Sequence, residues 1–219
     1  MRRALTLVLL GSLMASGLLA QGTKVVPGLG LGIDVGESPL ELIGSPGGTT
    51  ANLLVPIMIG KRFRLQPWVG YLRASLKFTS PTFTSNSHFR RLTLGLAAHY
   101  LFPVKDALRI YLGGGIGFGW NKAEDRSSGG QGTSFVSTEK RTDRLLNAVA
   151  GGEYFFSSRF SIGGEIRLDY VTFGDPEFSQ TITPPPPVPP VPPPPTSEDL
   201  SVTQTSAQVM VRWYFGEAR

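Results

Sequence analysis

The sequence predicts an all-β chain, a transmembrane up-and-down antiparallel β-barrel of eight strands. Three observations carry that reading. Segments of about ten residues alternate apolar and polar side chains with a period of two, which marks strands with unlike surroundings on their two faces. The connections between them are alternately short and long, as in a barrel with tight turns at one membrane face and loops at the other. The regular side of the strands holds Leu, Ile and Val while the other holds charges and glycine, the reverse of a soluble barrel.

The elements follow in chain order. In residues 28–36, GLGLGIDVG, Leu29, Leu31, Ile33 and Val35 alternate with Gly or Asp34. The glycine spacing resembles a phosphate-binding loop only superficially, because such a loop opens directly into a helix, whereas residues 37–51 are rich in Ser, Pro and Gly. Residues 52–60, NLLVPIMIG, are apolar on both faces and declare no register. Lys61 and Arg62 form a turn, after which Phe63, Leu65, Pro67 and Val69 oppose Arg64, Gln66 and Trp68. Beyond Gly70 the apolar phase moves to Leu72, Ala74, Leu76 and Phe78, which predicts a β-bulge near Gly70 or Tyr71. Residues 79–89 read as a turn-rich loop.

The fourth strand, residues 91–102, sets Leu92, Leu94, Leu96, Ala98, Tyr100 and Phe102 against Thr93, Gly95, Ala97 and His99. A tight link at 103–107 leads to a fifth, 108–121, with Leu108, Ile110, Leu112, Ile116, Phe118 and Trp120 opposite Arg109, Tyr111 and four glycines. A polar, Gly-rich loop precedes the sixth, about 140–155, and Ser157, Ser158 and Arg159 turn the chain into the seventh, where Phe160, Ile162, Ile166, Leu168 and Tyr170 oppose Glu165, Arg167 and Asp169. A long connection, the insertion 176–200, carries a proline tract predicted to form a polyproline II rod. The last strand, residues 206–215, SAQVMVRWYF, places Val209, Val211, Trp213 and Phe215 on one face and Gln208 and Arg212 on the other; it is predicted to close the ring against the first.

Composition narrows the alternatives. At 219 residues the chain suits one barrel domain, and 17% charged residues with 27 glycines fit a lipid-facing surface and many turns. The net charge of +5 is not gathered into a basic run or helix, so nucleic-acid binding finds no support. Without cysteine there are no disulfides or thiolate metal sites. Arg2 and Arg3, the apolar run 4–14 and Ala20 read as a signal peptide spanning residues 1–20, leaving a barrel domain of 21–219. No later segment is long and apolar enough for a spanning helix, so a membrane chain of this kind crosses as a barrel.

The stretches IMIGKRFRLQPWVGY, LNAVAGGEYFF and the closing VRWYF, together with the signal segment, resemble the OmpA/OmpX-type outer-membrane β-barrel family over nearly the whole mature chain. The resemblance implies a bacterial outer-membrane location and a chain that ends on an aromatic, from which this one departs by adding Gly216, Glu217, Ala218 and Arg219.

Three sets of residues are candidates for function. Asp34, Arg64, Arg109, Glu153, Glu165, Arg167, Asp169, Gln208 and Arg212 are assigned to the lumen, where charges must pair with one another, Arg212 and Gln208 toward Glu153 or Glu165. The inward glycines of the first and fifth strands form two opposed walls that either flatten the barrel or make room for Trp68, Arg64 and Arg167 to reach across. Arg73, Lys77, Arg90 and Arg91 flank the second loop without a carboxylate and are expected to meet lipopolysaccharide phosphates. The fourth loop is the opposite, made acidic by Asp175, Glu177, Glu198 and Asp199, and the first adds Glu37 and Glu41. Tyr100, Phe102, Trp120, Tyr154, Tyr170, Trp213 and Phe215 are expected to anchor at the membrane interfaces, with Phe155 in the same rim cluster as Tyr154.

The expected role is structural or surface interaction by a monomer with a side-chain-filled lumen; a porin-like narrow channel for small or apolar solutes is the alternative. Partners are outer-membrane lipid and lipopolysaccharide, and an extracellular partner reached by the proline-rich loop. No cofactor and no catalysis are expected: His88 and His99 stand outside the HxS arrangement of outer-membrane deacylases, and a lipid-modifying enzyme needs His88 within reach of a serine and a carboxylate.

Overall fold

The computed structural model describes residues 24–35, 51–80, 83–129, 134–183 and 201–218. The signal segment, the proline tract, Glu37, Glu41, Glu198 and Asp199 lie outside these residues.

The strands are β1 (Val25–Val35), β2 (Ala51–Leu54), β3 (Ile57–Ile59), β4 (Phe63–Ser80), β5 (Phe83–Lys105), β6 (Leu108–Gly129), β7 (Ser134–Phe155), β8 (Phe160–Thr172), β9 (Glu177–Thr183) and β10 (Ser201–Tyr214). Strands β2 and β3 both lie between β1 and β4, so they are one wall of the ring interrupted at Val55 and Pro56. Pro56 has no N–H to give a ladder. Strand β9 continues above β8 along the upper part of β7. All pairings are antiparallel, and β10 returns to β1 from Gly28↔Tyr214 to Val35↔Ala207. The ring therefore has eight walls and is closed, as the alternation predicted.

Alternation explains how each strand is placed. On β1, Leu29, Leu31 and Ile33 are exposed while Gly28, Gly30 and Gly32 are covered. Leu31 and Ile116 are each 58% exposed, whereas Arg64 and Glu153 are 0% exposed. The interior is polar and the outside apolar, which suits hydrocarbon around the ring. Asn52, Leu54 and Met58 are the buried faces of β2 and β3, the wall whose register the sequence left open.

The long connections differ from expectation. Residues 79–89 are mostly strand: β4 and β5 remain paired from Phe63↔Tyr100 to Ser80↔Phe83. No bulge occurs at Gly70 or Tyr71, since the register runs through both without a shift. The parity of β4 does not change there: above Tyr71 the outward positions carry Arg73 and Lys77, and Leu72, Ala74, Leu76 and Phe78 occupy the inner parity, where Leu76 and Phe78 remain exposed on the part of the β4–β5 hairpin that rises beyond β2. Strands β6 and β7 likewise rise together as far as Ser128↔Ser134, and the first part of the proline-rich insertion is β9.

The three short turns sit at the opposite end. One of them has Gly60 at φ 62°, a left-handed conformation that glycine adopts without a Cβ clash. Residues after β10 stay at this end: the Ala218 amide donates to the Ser158 carbonyl at 2.9 Å, and Ala218 is buried with Val26, Met58, Leu101, Phe155 and Tyr214. Glu217 faces Lys24 at 3.8 Å. The tail thus turns under the mouth of the barrel and completes an apolar floor.

Candidate functional site: a filled lumen and a basic outer rim

Above the apolar floor the lumen holds a compact charge cluster. Arg64 Nη1 donates to Glu153 Oε2 at 2.6 Å and its Nε to His99 Nδ1 at 3.2 Å. Glu153 also accepts from Ser161 Oγ at 2.5 Å and Tyr214 Oη at 2.9 Å. Arg212 faces Glu153 at 3.4 Å and Glu165 at 3.9 Å, and its Nε donates to Gln66 at 3.1 Å. Tyr111 Oη donates to Glu165 at 2.9 Å, and the Arg64 guanidinium stacks 4.3 Å from the Tyr111 ring centre. Glu153 is thus shared by two arginines and two hydroxyls brought in by β4, β8 and β10, which pairs charges that have left water, while Arg64 Nη2 and both Nη atoms of Arg212 make no hydrogen bond among the described residues.

A second cluster lies nearer the loops. Asp34 accepts from Asn52 and Gln208, each at 3.0 Å, and is paired with Arg167. Gln208 was expected to reach Glu153 or Glu165. It stands opposite Glu165 on β8 and opposite Asp34 on β1, and its amide turns to Asp34, lying over Gly32. A Cβ on Gly32 would come within 2.6 Å of Gln208 Cδ. Asp169 takes a hydrogen bond from Ser206 at 2.9 Å, while Arg109 is buried with its guanidinium 4.7 Å from the Phe155 ring centre.

Inward glycines act by local accommodation, Gly117 of the predicted fifth-strand wall together with Gly95 and Gly151, which lie outside both predicted walls. The Trp68 indole lies against Gly95 and within 3.2 Å of a Cβ placed on Gly117, and Tyr111 covers Gly151. Each ring rests on a neighbouring strand where that strand offers no side chain. Between the two charge clusters, Leu54, Trp68 and Met210 pack together. The space left among Asn52, Trp68, His99, Asn147 and Gln208 is about 10 Å³, enough for roughly one water molecule.

The nine residues assigned to the lumen all lie on the inner face of their strands. Sequence reasoning missed Asn52, Gln66, Tyr111, Ser161 and Tyr214 as partners, although the same alternation marks all but Asn52.

The aromatic anchors stand on the outer face, with one correction: Phe155 is 1% exposed and belongs to the lumen floor, stacked on Tyr214 at 5.9 Å. Its chain neighbours Tyr154 and Phe156 hold the rim instead. Rings touch along that rim from Phe63 through Tyr100 to Phe102, and from Tyr154 through Phe156 and Phe160 to Trp213, at 4.8 to 6.1 Å between centres. Phe215 is 65% exposed at the same end, and Trp120 and Tyr170 are outward on the loop side.

The four basic residues of the second loop divide. Arg73, Lys77 and Arg90 are exposed on the outward face, but Arg91 turns inward, with its guanidinium near Gly119. The opposite parity of Arg91 follows from its being next to Arg90. The fourth loop is not wholly acidic in its surroundings, since Glu177 stands opposite Lys140 of β7.

Above Arg90 the register brings Ser75, His88 and Glu124 into one row across β4, β5 and β6. Glu124 is engaged by Lys122 at 3.1 Å and Arg126 at 2.5 Å. Both cations hold its carboxyl below the usual carboxylate range, Arg126 the more strongly. Its oxygens are thereby committed to cations instead of orienting an imidazole.

A closed eight-walled ring, apolar outside and charge-paired within, defines a transmembrane β-barrel. The chain belongs to the outer membrane protein beta-barrel domain family, whose model matches residues 5–215, and its place is the bacterial outer membrane. Among solved structures it resembles Neisserial surface protein A at 16% identity, with a TM-score of 0.48, covering 87% of this chain and 96% of that one. A major outer membrane protein from Thermus thermophilus is similar at 12% identity, with a TM-score of 0.50 over 87% and 99% of the two chains. The second likeness concerns the fold alone. No curated protein matches the sequence.

Proposed function

We propose that the protein is a non-conducting, monomeric outer-membrane barrel with a structural or surface-interaction role and no catalytic chemistry. The filled lumen is the observation that carries this reading. An apolar floor closed by Ala218, the Arg64–Glu153–Arg212 cluster and the Trp68 layer succeed one another along the axis. An ion crossing them would have to displace paired charges from a low-dielectric interior. The closed ring leaves no free strand edge along its membrane-spanning walls, which supports a monomer.

Single-channel recording on the full chain in planar bilayers tests the lumen. Silent bilayers are expected; steady ohmic conductance in proportion to inserted protein overturns the reading in favour of a narrow pore. For catalysis, ester-linked acyl chains of outer-membrane lipid should survive incubation with the protein, and any release that disappears in Ser75→Ala would reinstate an enzyme.

A further inference from the structure

We propose that a row of four outward cations at the loop-side rim docks the headgroup of a bis-phosphorylated glycolipid of the outer leaflet. The row is fixed by strand register. Arg73 lies opposite Arg90, Arg90 opposite Lys122, and Lys122 opposite Lys140, on four successive strands. Like charges directly opposite on neighbouring strands are destabilising. Among the described residues no carboxylate forms an ion pair with Arg73, Arg90 or Lys140, and Lys122 alone has Glu124. A row of this kind becomes favourable when anions from outside supply the missing charge.

Its height identifies the partner. The outward row immediately nearer the hydrocarbon is Tyr71, Leu92, Trp120 and Thr142, so the cations stand one step above interfacial aromatics, at headgroup level. Arg90, Lys122 and Lys140 border an external cleft of about 880 Å³ in which Trp120 and Phe118 form an apolar wall and Arg144 adds a cation below. With strands about 4.8 Å apart, the row spans about 14 Å. That is too wide for one phosphate and suits two, joined by a sugar backbone. Glu177, opposite Lys140, bounds the far end of the cleft and would repel a further phosphate. This docking lies outside the ring and does not depend on whether the lumen conducts.

The experiment uses the full chain folded in detergent micelles and titrated with bis-phosphorylated lipid A, with the same lipid after removal of both phosphates, and with phosphatidylglycerol. The rim variant is R73A/R90A/K122A/K140A, and a control, K61A/K105A/R159A, removes charges at the opposite rim. Wild type and control should bind bis-phosphorylated lipid A alike, and the rim variant should lose about 10-fold or more in affinity together with most of the salt dependence. Folding is checked by heat-modifiable electrophoretic mobility; if the fourfold variant does not fold, R90Q/K122Q takes its place. Equal binding of the phosphate-free lipid, or equal loss in the control, overturns the proposal. Phosphatidylglycerol binding as tightly as lipid A overturns the two-phosphate assignment.

Discussion

Arg64 Nη1 and Glu153 Oε2 meet at 2.6 Å with both side chains wholly removed from solvent. They come from β4 and β7, and Arg212 of β10 approaches the same carboxylate, so one acid ties three walls of the ring together. Glu153→Ala leaves two buried guanidinium groups without their main anion and is expected to cost about 3–5 kcal/mol, whereas Arg64→Met/Glu153→Leu should recover much of that loss. Urea unfolding in lipid vesicles measures both. A double variant as unstable as the single one would contradict the pairing account.

Gly151 underlies the Tyr111 ring. A Cβ there would approach Tyr111 Cζ to 2.5 Å and the Gly164 carbonyl to 2.7 Å. Since one neighbour is backbone and cannot swing aside, Gly151→Ala should destabilise by about 1–3 kcal/mol. Tyr111→Leu in the same background should relieve part of the crowding, with loss of the bond to Glu165. The two variants together give a coupling energy by denaturant titration.

Phe160 bridges Phe156 and Trp213 at 6.0 and 6.1 Å between ring centres. Replacing Phe160 with Ala breaks the aromatic chain at its middle and should cost about 1 kcal/mol beyond the lost apolar area. The loss should be smaller for Phe102→Ala, which ends a chain instead of linking one. Unfolding in bilayers of one thickness compares them directly.

Glu124 lies above the hydrocarbon, and its carboxyl is held below the usual carboxylate range by hydrogen bonds from Arg126 and then Lys122. A lowered folded value means that the stabilising pairing is complete above the value of free glutamate and is lost as pH falls through the depressed one. Its carboxyl carbon should therefore titrate below free glutamate in NMR, and K122A/R126A should return it upward. An unchanged titration in that variant would show the two cations to be bystanders.

Parity was legible in the sequence because it needs only a period of two: Arg212, Glu153 and Asp34 face inward by counting alone. Partner choice was not, because it depends on register. Gln208 illustrates the difference, since it has Glu165 opposite it on β8 and Asp34 opposite it on β1, and its amide, lying over Gly32, goes to Asp34. The cation row was hidden for the same reason. Arg73 meets Arg90 only because the β4–β5 ladder runs on to Ser80↔Phe83, and a hairpin turning two residues earlier would have set other pairs face to face. The slip of apolar phase after Gly70 was visible, yet a bulge and a hairpin rising beyond β2 leave the same trace in one strand. Only the continuous pairing of Tyr71 with Leu92 separates them.

The tail beneath the barrel touches surfaces that are distant in sequence. Gly216 lies by Val26 of β1, Ala218 hangs from Ser158 in the turn between β7 and β8, and Glu217 faces Lys24. Those surfaces are neighbours only once β1 has paired with β10. A slip of one residue along that seam would turn Val26 to the lipid and deny the tail its seat. Protection of residues 216–218 should therefore track closure of the seam: a cleavage site introduced there would be cut in barrels left ajar and spared in those sealed in the right register.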